Sequence, residues 1–109
     1  MRKKMPETEY RASRICRVLG NPTAYQIVKF LIAKRSRGIS SGMRPTDIAQ
    51  ELGLSLPLVS TTLGTLRNVD LVRYETKGNA KIYWLKEEAI AEICAGLETL
   101  VGRLRRKQW

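Results

Sequence analysis

Histidine is absent from the 109-residue sequence, and cysteine occurs only at Cys16 and Cys94. The absence of histidine excludes Ser-His-Asp and Cys-His nucleophile systems and metal sites that contain histidine. Two cysteines so far apart do not form the disulfide framework of a small secreted domain. The sequence also lacks a Gly-rich phosphate loop and a clustered acid pair with a fixed role. An enzyme is therefore the least expected class, and we expect no cofactor.

Long apolar runs are missing as well. No run approaches the length of a membrane span, and the basic start, MRKKMPETEY, lacks the apolar core of a signal peptide. We therefore expect a cytoplasmic protein without membrane contact. The length is that of one domain with a modest core, which we assign to 7–109, after a basic flexible arm over 1–6.

Acidic residues are scarce, because 10 Asp and Glu stand against 20 Lys and Arg, and the formal net charge is +10. A small domain this basic favours a polyanionic partner, since the release of condensed counterions drives binding to phosphates. A basic surface that serves solubility and an RNA contact of the ribosomal kind are the alternatives.

Apolar residues at helical spacing predict the first two helices. The first helix covers 7–19 and ends at Gly20. Asn21 is placed to cap the second helix, which ends near Lys34. Residues 35–43 are rich in Gly, Ser and Arg and predict a loop.

Residues 45–69 have the pattern of a helix-turn-helix. A third helix begins at Pro45 and stops at Gly53, and Ser55 is a suitable N-cap for the fourth. Apolar residues at i, i+4 and i+7 of the fourth helix predict one buried stripe, made of Val59, Leu63 and Leu66. The opposite face contains Pro57, Ser60, Thr61, Gly64, Thr65 and Asn68.

A β-hairpin is predicted over 71–85, where two runs rich in β-branched and aromatic residues flank a turn centred on Gly78-Asn79. Lys77 and Lys81 flank its tip. A basic hairpin directly after a helix-turn-helix is typical of the winged helix-turn-helix fold. The predicted fold is mainly α with a small β-hairpin, in the order α-α-α-α-β-β-α. A helix pair alone often serves only a core, but the hairpin and the charge favour nucleic-acid binding.

Residues 87–107 predict a long last helix. Its apolar residues follow the spacing of a heptad seam and form a wider face than a small core needs; they are Ile90, Ile93, Cys94, Leu97, Leu100, Val101 and Leu104. A basic cluster at its end, Arg103, Arg105, Arg106 and Lys107, suits the helix dipole. Contact of this cluster with DNA is the second interpretation.

The order and spacing of several segments resemble the ArsR-type winged-helix repressors. The segment LGNPT at 19–23 is similar to that family's LGDPTR-type opening, and DIAQELGLS at 47–55 is similar to its ELAEALGLS positioning helix and turn. Val59-Ser60 with the following leucines resembles its VSRHLKVL recognition helix, and LVR at 71–73 resembles the strand that opens its wing. The resemblance covers nearly the whole chain.

The resemblance implies a homodimeric repressor that places its fourth helix in the DNA major groove. It assigns the dimer interface to the helices at 7–19 and 87–107. Two copies would then contact successive major grooves of an inverted repeat, about 34 Å apart. The implied interface residues are Ile15, Cys16, Leu19, Ile90, Ile93, Cys94, Leu97, Leu100, Val101 and Leu104. Within it, Cys16 and Cys94 are either small apolar filler or a thiol switch.

The chain departs from the family at its sensor positions. Many relatives bind metal through a Cys-Val-Cys-Asp-Leu segment at the start of the third helix, where this chain has RPTDI over 44–48. The family's zinc sites on the last helix need histidine, which is absent. We therefore expect no metal site.

The expected DNA contacts combine the fourth helix, the start of the third helix and the hairpin. They are Arg44, Thr46, Ser55, Pro57, Leu58, Ser60, Thr61, Thr65, Lys77, Asn79 and Lys81. Thr61 and Thr62 stand where relatives often have Arg-His, and hydroxyls bond permissively to bases. We therefore expect limited direct readout, with affinity from phosphates and some specificity from DNA shape.

Several of these positions have a structural alternative. Gly64 permits close approach to a backbone or is a tolerated defect. Lys77 and Lys81 contact phosphate or protect a strand edge from aggregation. Arg35 and Arg37 assist binding or are solvated loop charges.

The expected function is that of a sequence-specific, double-stranded DNA-binding transcriptional regulator, most simply a homodimeric repressor. Two alternatives from other classes stay open. One is a winged-helix module that binds a protein of the transcription machinery, and the other is an RNA-binding domain.

Overall fold

The computed structural model describes residues 4–36 and 42–106, so Arg37, Lys107 and half of the expected arm lie outside the described residues. The elements are α1 (Glu7–Leu19), α2 (Pro22–Ser36), α3 (Pro45–Leu52), α4 (Leu56–Asn68), β1 (Val72–Lys77), β2 (Ala80–Leu85) and α5 (Ala89–Arg106). The predicted order is confirmed. The second helix extends past Lys34, and the last helix begins at Ala89 rather than at residue 87.

Two predicted caps hold α2 and α4 in place. The side-chain Oδ1 of Asn21 accepts a hydrogen bond from the backbone N–H of Ala24 at 3.1 Å. The Oγ of Ser55 accepts one from Leu58 at 3.3 Å. Between α3 and α4, Gly53 has a φ of 68°, the left-handed conformation that ends a helix and favours glycine. The sharp turn of the helix-turn-helix follows from these local features.

The hydrophobic core lies between α2, α3, α4 and the hairpin. The predicted stripe of α4, Val59, Leu63 and Leu66, has no exposed side-chain surface, which confirms the periodicity argument. From α2, Ile27 and Val28 are also fully buried. The core therefore fixes α4 by one face and leaves its polar face outward.

Three of the expected interface residues belong to this core. Leu19, Ile90 and Cys94 are 8%, 2% and 0% exposed within a single chain. These side chains pack mainly inside the single chain and leave little surface for contact with a second copy. The wide apolar face of α5 therefore has an inner side, where Ile90 and Cys94 lie, and an outer side.

The hairpin pairs β1 and β2 antiparallel, from Val72 opposite Leu85 to Lys77 opposite Ala80. A third segment joins it, since Met43 and Tyr83 exchange two backbone hydrogen bonds of 2.8 Å. This bridge lies at the end of the predicted loop 35–43 and was not predicted. It attaches the chain just before α3 to the base of the wing.

Two side chains of α2 form hydrogen bonds with the carboxylate of Glu98 on α5. The hydroxyl of Tyr25 donates to Oε2 of Glu98 at 2.6 Å, and Nζ of Lys29 donates to Oε1 at 3.0 Å. The hydrogen bond from Tyr25, and then the one from Lys29, hold the pKa of the Glu98 carboxyl below its ordinary value. The hydrogen bond to Glu98 also raises the pKa of Tyr25 above its ordinary value.

Within 4–36 and 42–106, no helix combines the length and apolar character needed to cross a membrane.

Candidate nucleic-acid interface

The outer face of α4 is polar and exposed, as predicted. Ser60, Thr61 and Thr65 are all exposed on it. Thr62 does not belong to this face, because it is 8% exposed and its hydroxyl donates to the backbone oxygen of Leu58 at 2.7 Å. Of the two threonines at the expected Arg-His positions, only Thr61 is therefore available to a ligand.

The hydroxyl of Thr65 is also partly committed. Its Oγ1 donates to the backbone oxygen of Thr61 at 3.2 Å. Because the hydroxyl proton of Thr65 is donated inside the helix, its oxygen can only accept a further hydrogen bond. An acceptor suits the amino group of a base better than its carbonyl group. The chemistry of this face is thus that of weak and permissive contacts.

The first residues of α3 and α4 and the tip of the hairpin enclose a cleft of about 400 Å³, which we call the wing cleft. Its lining residues are Arg44, Pro45, Thr46, Leu56, Ser60, Asn79, Ala80 and Lys81. Arg44, Thr46, Ser60, Asn79 and Lys81 are all candidates from the sequence. Residues from three separate segments thus meet in one place, which the sequence alone does not establish.

One cation of the wing cleft is held by a neighbouring carboxylate. Nε of Arg44 lies 3.0 Å from Oδ2 of Asp47, and its terminal nitrogen lies 3.3 Å from Oδ1. This hydrogen-bonded pair raises the pKa of Arg44. The guanidinium side chain is still 55% exposed, so the pair orients it at the start of α3 without removing it from solvent.

The other cation of the wing cleft, Lys81, lies over the ring of Tyr74, a residue that was not predicted from the sequence. Nζ of Lys81 lies 5.0 Å from the ring centroid of Tyr74, and Cζ of Arg67 lies at the same distance. Such contacts between a cation and a ring face are attractive. Tyr74 thus connects the wing to the end of α4. The alternation of β1 and the cross-strand partner Tyr83 are the signals that could have identified it.

Other candidates lie outside the wing cleft. Nζ of Lys77 lies 3.6 Å from Glu75, and Ser55 uses its side-chain oxygen to cap α4. Pro57 and Leu58 are exposed in the first turn of α4, where Leu58 is 41% exposed. A Cβ at Gly64 would meet no atom within 4 Å, so packing inside the chain does not require glycine there.

Arg35 has a structural role. Its guanidinium donates to the backbone oxygen of Leu85 at 3.3 Å and forms an ion pair with Glu88. It therefore joins α2 to the segment between the wing and α5. Its role as a DNA contact is not supported by this geometry, and Arg37 lies outside the described residues.

An apolar stripe remains uncovered on α5. Its residues, which we call the α5 stripe, are between 43% and 53% exposed: Ile93, Leu97, Leu100, Val101 and Leu104.

The two cysteines lie in different environments, because Cys16 on α1 is exposed whereas Cys94 on α5 is fully buried. Exchange between the two thiols would require the core to open. No group of three or more metal-ligating side chains occurs among the residues that the structure describes.

Comparison with solved structures identifies the fold. The chain superimposes on Rv0081 of M. tuberculosis with a TM-score of 0.76 at 23% identity, covering 96% of this chain and 98% of that one. It matches Mb0332 of Mycobacterium bovis, described as a homodimeric winged helix-turn-helix DNA-binding domain and a possible ArsR-family regulator, with a TM-score of 0.73 at 19% identity, covering 100% and 98%. NolR of Sinorhizobium fredii gives 0.63 at 22% identity, covering 94% and 98%.

These identities show the fold, and the predicted winged helix-turn-helix architecture is confirmed. Two similar structures are described as an ArsR-like regulator and a possible ArsR-family regulator, and this chain shares their fold. None of those named here is described as an enzyme. No family model matches the sequence, and no curated protein matches it.

Proposed function

We propose that this chain is a transcriptional regulator that binds double-stranded DNA as a homodimer and represses the genes at its binding sites. The wing cleft is the observation that supports this function most directly. Residues chosen from three parts of the sequence for their DNA-binding chemistry converge there beside the exposed face of α4. A face with cations at its edge and hydroxyls at its centre suits a duplex, whose phosphates flank a groove of base edges.

In the proposed complex, α4 lies in the major groove. Ser60, Thr61 and Thr65 face base edges, while Pro57 and Leu58 present apolar surface suited to the thymine methyl group. None of these side chains makes the bidentate contacts of arginine, asparagine or glutamine. Direct readout is therefore limited, and DNA shape supplies part of the specificity.

Phosphate contacts supply most of the affinity. Arg44 and Lys81 both line the wing cleft, together with Thr46 and Asn79. The start of α3 adds the partial positive charge of a helix N-terminus. Asp47 orients Arg44 without burying it, so a phosphate oxygen can share the exposed guanidinium.

The homodimer is proposed from the α5 stripe. A row of half-exposed aliphatic side chains along one helix is left uncovered by residues 4–36 and 42–106, and its burial in a two-fold contact is favourable. Ile15 and Cys16 of α1 would extend the contact. The description of Mb0332, a structure of the same fold, as homodimeric supports a dimer. A two-fold axis would set the two α4 helices against half-sites about 34 Å apart.

Selection of bound duplexes from a random pool, followed by titration at several salt concentrations, tests this function. A protein that neutralises 6–10 phosphates should lose about 10³–10⁵ in affinity between 50 and 200 mM salt. The double variant Arg44→Gln/Lys81→Gln, which removes both positive charges of the wing cleft, should lower the slope of log K against log salt by about 1.8. The comparison variant Arg105→Gln/Arg106→Gln removes the same charge from exposed residues at the end of α5, outside the wing cleft. An unchanged slope would show that this basic cluster does not hold phosphates, and a lowered slope would support its contact with DNA.

Other outcomes favour the alternative functions. Failure to bind any duplex at 50 mM salt would overturn the proposal, and preferential binding of RNA over duplex in competition would assign the surface to RNA. Repression is tested separately by transcription in vitro from a promoter that carries the selected site. Added protein should decrease the transcript, and an increase would identify an activator.

A further inference from the structure

A second groove lies at the other end of α4. It is formed by α1 and the last two turns of α4 and has a volume of about 350 Å³; we call it the α1 groove. Its lining residues are Tyr10, Ser13, Arg14, Arg17, Val18, Thr65, Asn68 and Val69. None of them is acidic. The groove therefore shares Thr65 with the proposed base-reading face and brings two arginines beside it.

No carboxylate of the described residues pairs with these two arginines. The nearby carboxylate of Asp70 lies 3.8 Å from Arg11 and 3.7 Å from Lys86, so it already has two cations. Arg14 and Arg17 are exposed and form no ion pair with any residue in 4–36 or 42–106. Two uncompensated guanidinium groups in a polar groove provide an anion site, since arginine binds phosphate oxygens in a planar, bidentate manner.

We propose that the α1 groove binds DNA phosphates, with Arg14 and Arg17 on the backbone strand opposite to the one that the wing cleft contacts. This inference rests on the proposed function. The two sites lie at opposite ends of α4, because Leu56 and Ser60 line the wing cleft and Thr65 and Asn68 line the α1 groove.

The spacing of the two sites fits the dimensions of a duplex. The 13 residues of α4 span about 20 Å at 1.5 Å per residue. The major groove is about 12 Å wide. Cations at both ends of a helix of that length can therefore reach the two phosphate backbones that border the groove. Contacts to both strands would fix the position of a helix whose own base contacts are weak.

The α1 groove is also compatible with the proposed dimer. Successive residues of an α-helix are about 100° apart around its axis, so Arg14 projects about 160° away from Cys16. The exposed apolar side of α1, with Ala12 and Cys16, therefore faces away from Arg14. One helix can thus serve a partner copy on one side and DNA on another.

The test is the salt dependence of Arg14→Gln/Arg17→Gln on a duplex selected with the wild-type protein. The loss of two phosphate contacts should lower the slope by about 1.8, which corresponds to roughly 60-fold weaker binding at 0.1 M salt if the affinities converge at 1 M. Arg14→Lys/Arg17→Lys retains the charge and should retain most of the slope. Arg105 and Arg106 line neither site, so the slope of Arg105→Gln/Arg106→Gln measures what the basic end of α5 contributes and is the reference for the loss at positions 14 and 17.

Neutral methylphosphonates in the duplex locate the contact. Replacement of the phosphates opposite the α1 groove should weaken the wild-type protein but not Arg14→Gln/Arg17→Gln. This comparison also covers the case in which the variant dimerises less well, because the effect of the changed duplex is measured within each protein separately.

The outcomes separate this inference from the proposed function. If the wild-type protein binds duplex and the variant at positions 14 and 17 keeps the full slope, the α1 groove is not a phosphate site, while the proposed function stands. If the wild-type protein binds no duplex, the proposed function fails and this inference fails with it. A methylphosphonate effect of equal size in wild type and variant would also overturn the inference.

Discussion

The hydroxyl of Tyr25 lies 2.6 Å from Oε2 of Glu98 and joins the buried helix α2 to α5, the helix with the uncovered apolar stripe. Lys29 reaches the same carboxylate at 2.9 Å. These bonds join α5 to α2 through side chains that are about half exposed. They also make the attachment of α5 sensitive to pH.

Acid should weaken this attachment. Because the pKa of Glu98 is lowered in the folded chain, its contribution to stability is present above the ordinary carboxyl pKa of about 4.3 and is lost as the pH falls through the lower folded value. Tyr25→Phe should therefore reduce the melting temperature at pH 7, and the difference from wild type should shrink below about pH 4.

Circular dichroism melts at pH 7 and pH 3 measure this difference. Tyr10→Phe is the control, since it removes an exposed hydroxyl that has no hydrogen-bond partner in the described part of the chain. A melting-temperature difference for Tyr25→Phe that is unchanged at pH 3 would show that the bond to Glu98 does not carry the pH dependence.

The two lysines of the wing should contribute unequally to DNA binding. Lys81 lines the wing cleft and is positioned over Tyr74, whereas Lys77 lies 3.6 Å from Glu75 and outside the cleft. We expect both alanine variants to weaken binding to all duplexes. Lys81→Ala should lower the salt slope by about 0.9, and Lys77→Ala should lower it less. Fluorescence anisotropy over a salt series measures both, and equal slopes for the two variants would contradict the positioning role of Tyr74.

Gly42 should be needed for stability. Its φ is +80°, and a Cβ there would lie 2.7 Å from the backbone oxygen of Tyr83, which accepts the hydrogen bond from Met43. Gly42→Ala should therefore lower the free energy of unfolding by about 1–3 kcal/mol, because it adds a clash to an unfavourable backbone conformation. Urea titration is the measurement. A stability equal to that of wild type would mean that this segment does not pair as described.

Gly64 should behave in the opposite way. Nothing lies within 4 Å of a Cβ at this position, so Gly64→Ala should stabilise the chain by about 0.5–1 kcal/mol through helix propensity. If glycine serves a close approach to DNA, the same variant should bind duplex more weakly although it is more stable. Unchanged duplex affinity would support the alternative that Gly64 is a tolerated defect in α4.

Features that depend on neighbours along the chain could be predicted from the sequence. The caps at Asn21 and Ser55 and the buried stripe of α4 follow from local spacing, and all are present. The pairing of Met43 with Tyr83 could not be predicted, because the preceding Gly- and Ser-rich segment has no strand periodicity and its partner is far along the chain. Such pairing depends on the packed core rather than on local preference.

Five of the residues that line the wing cleft are candidates from the sequence, but their arrangement could not be predicted. The basic and hydroxyl-bearing residues of the wing cleft were identified by type and order, whereas the support of Lys81 by Tyr74 required the register of the hairpin. In α5, the heptad pattern could not separate the residues that face the core from those that face outward. Cys94 and Leu97 have the same apolar character, but one is fully buried and the other is 43% exposed.

That separation makes the proposed dimer testable with one substitution. Leu97→Glu places a charge in the middle of the α5 stripe, where burial against a second copy would leave it without solvent or a partner. Because Leu97 is 43% exposed in the single chain, the variant should keep its fold and its melting behaviour should show a folded monomer. Sedimentation equilibrium should then give the mass of one chain, against two for wild type. Thr99→Glu introduces the same charge at an exposed position outside the stripe and should remain dimeric. A Leu97→Glu protein that sediments as a dimer would show that copies associate through another surface, and the half-site spacing expected from α5 pairing would then no longer follow.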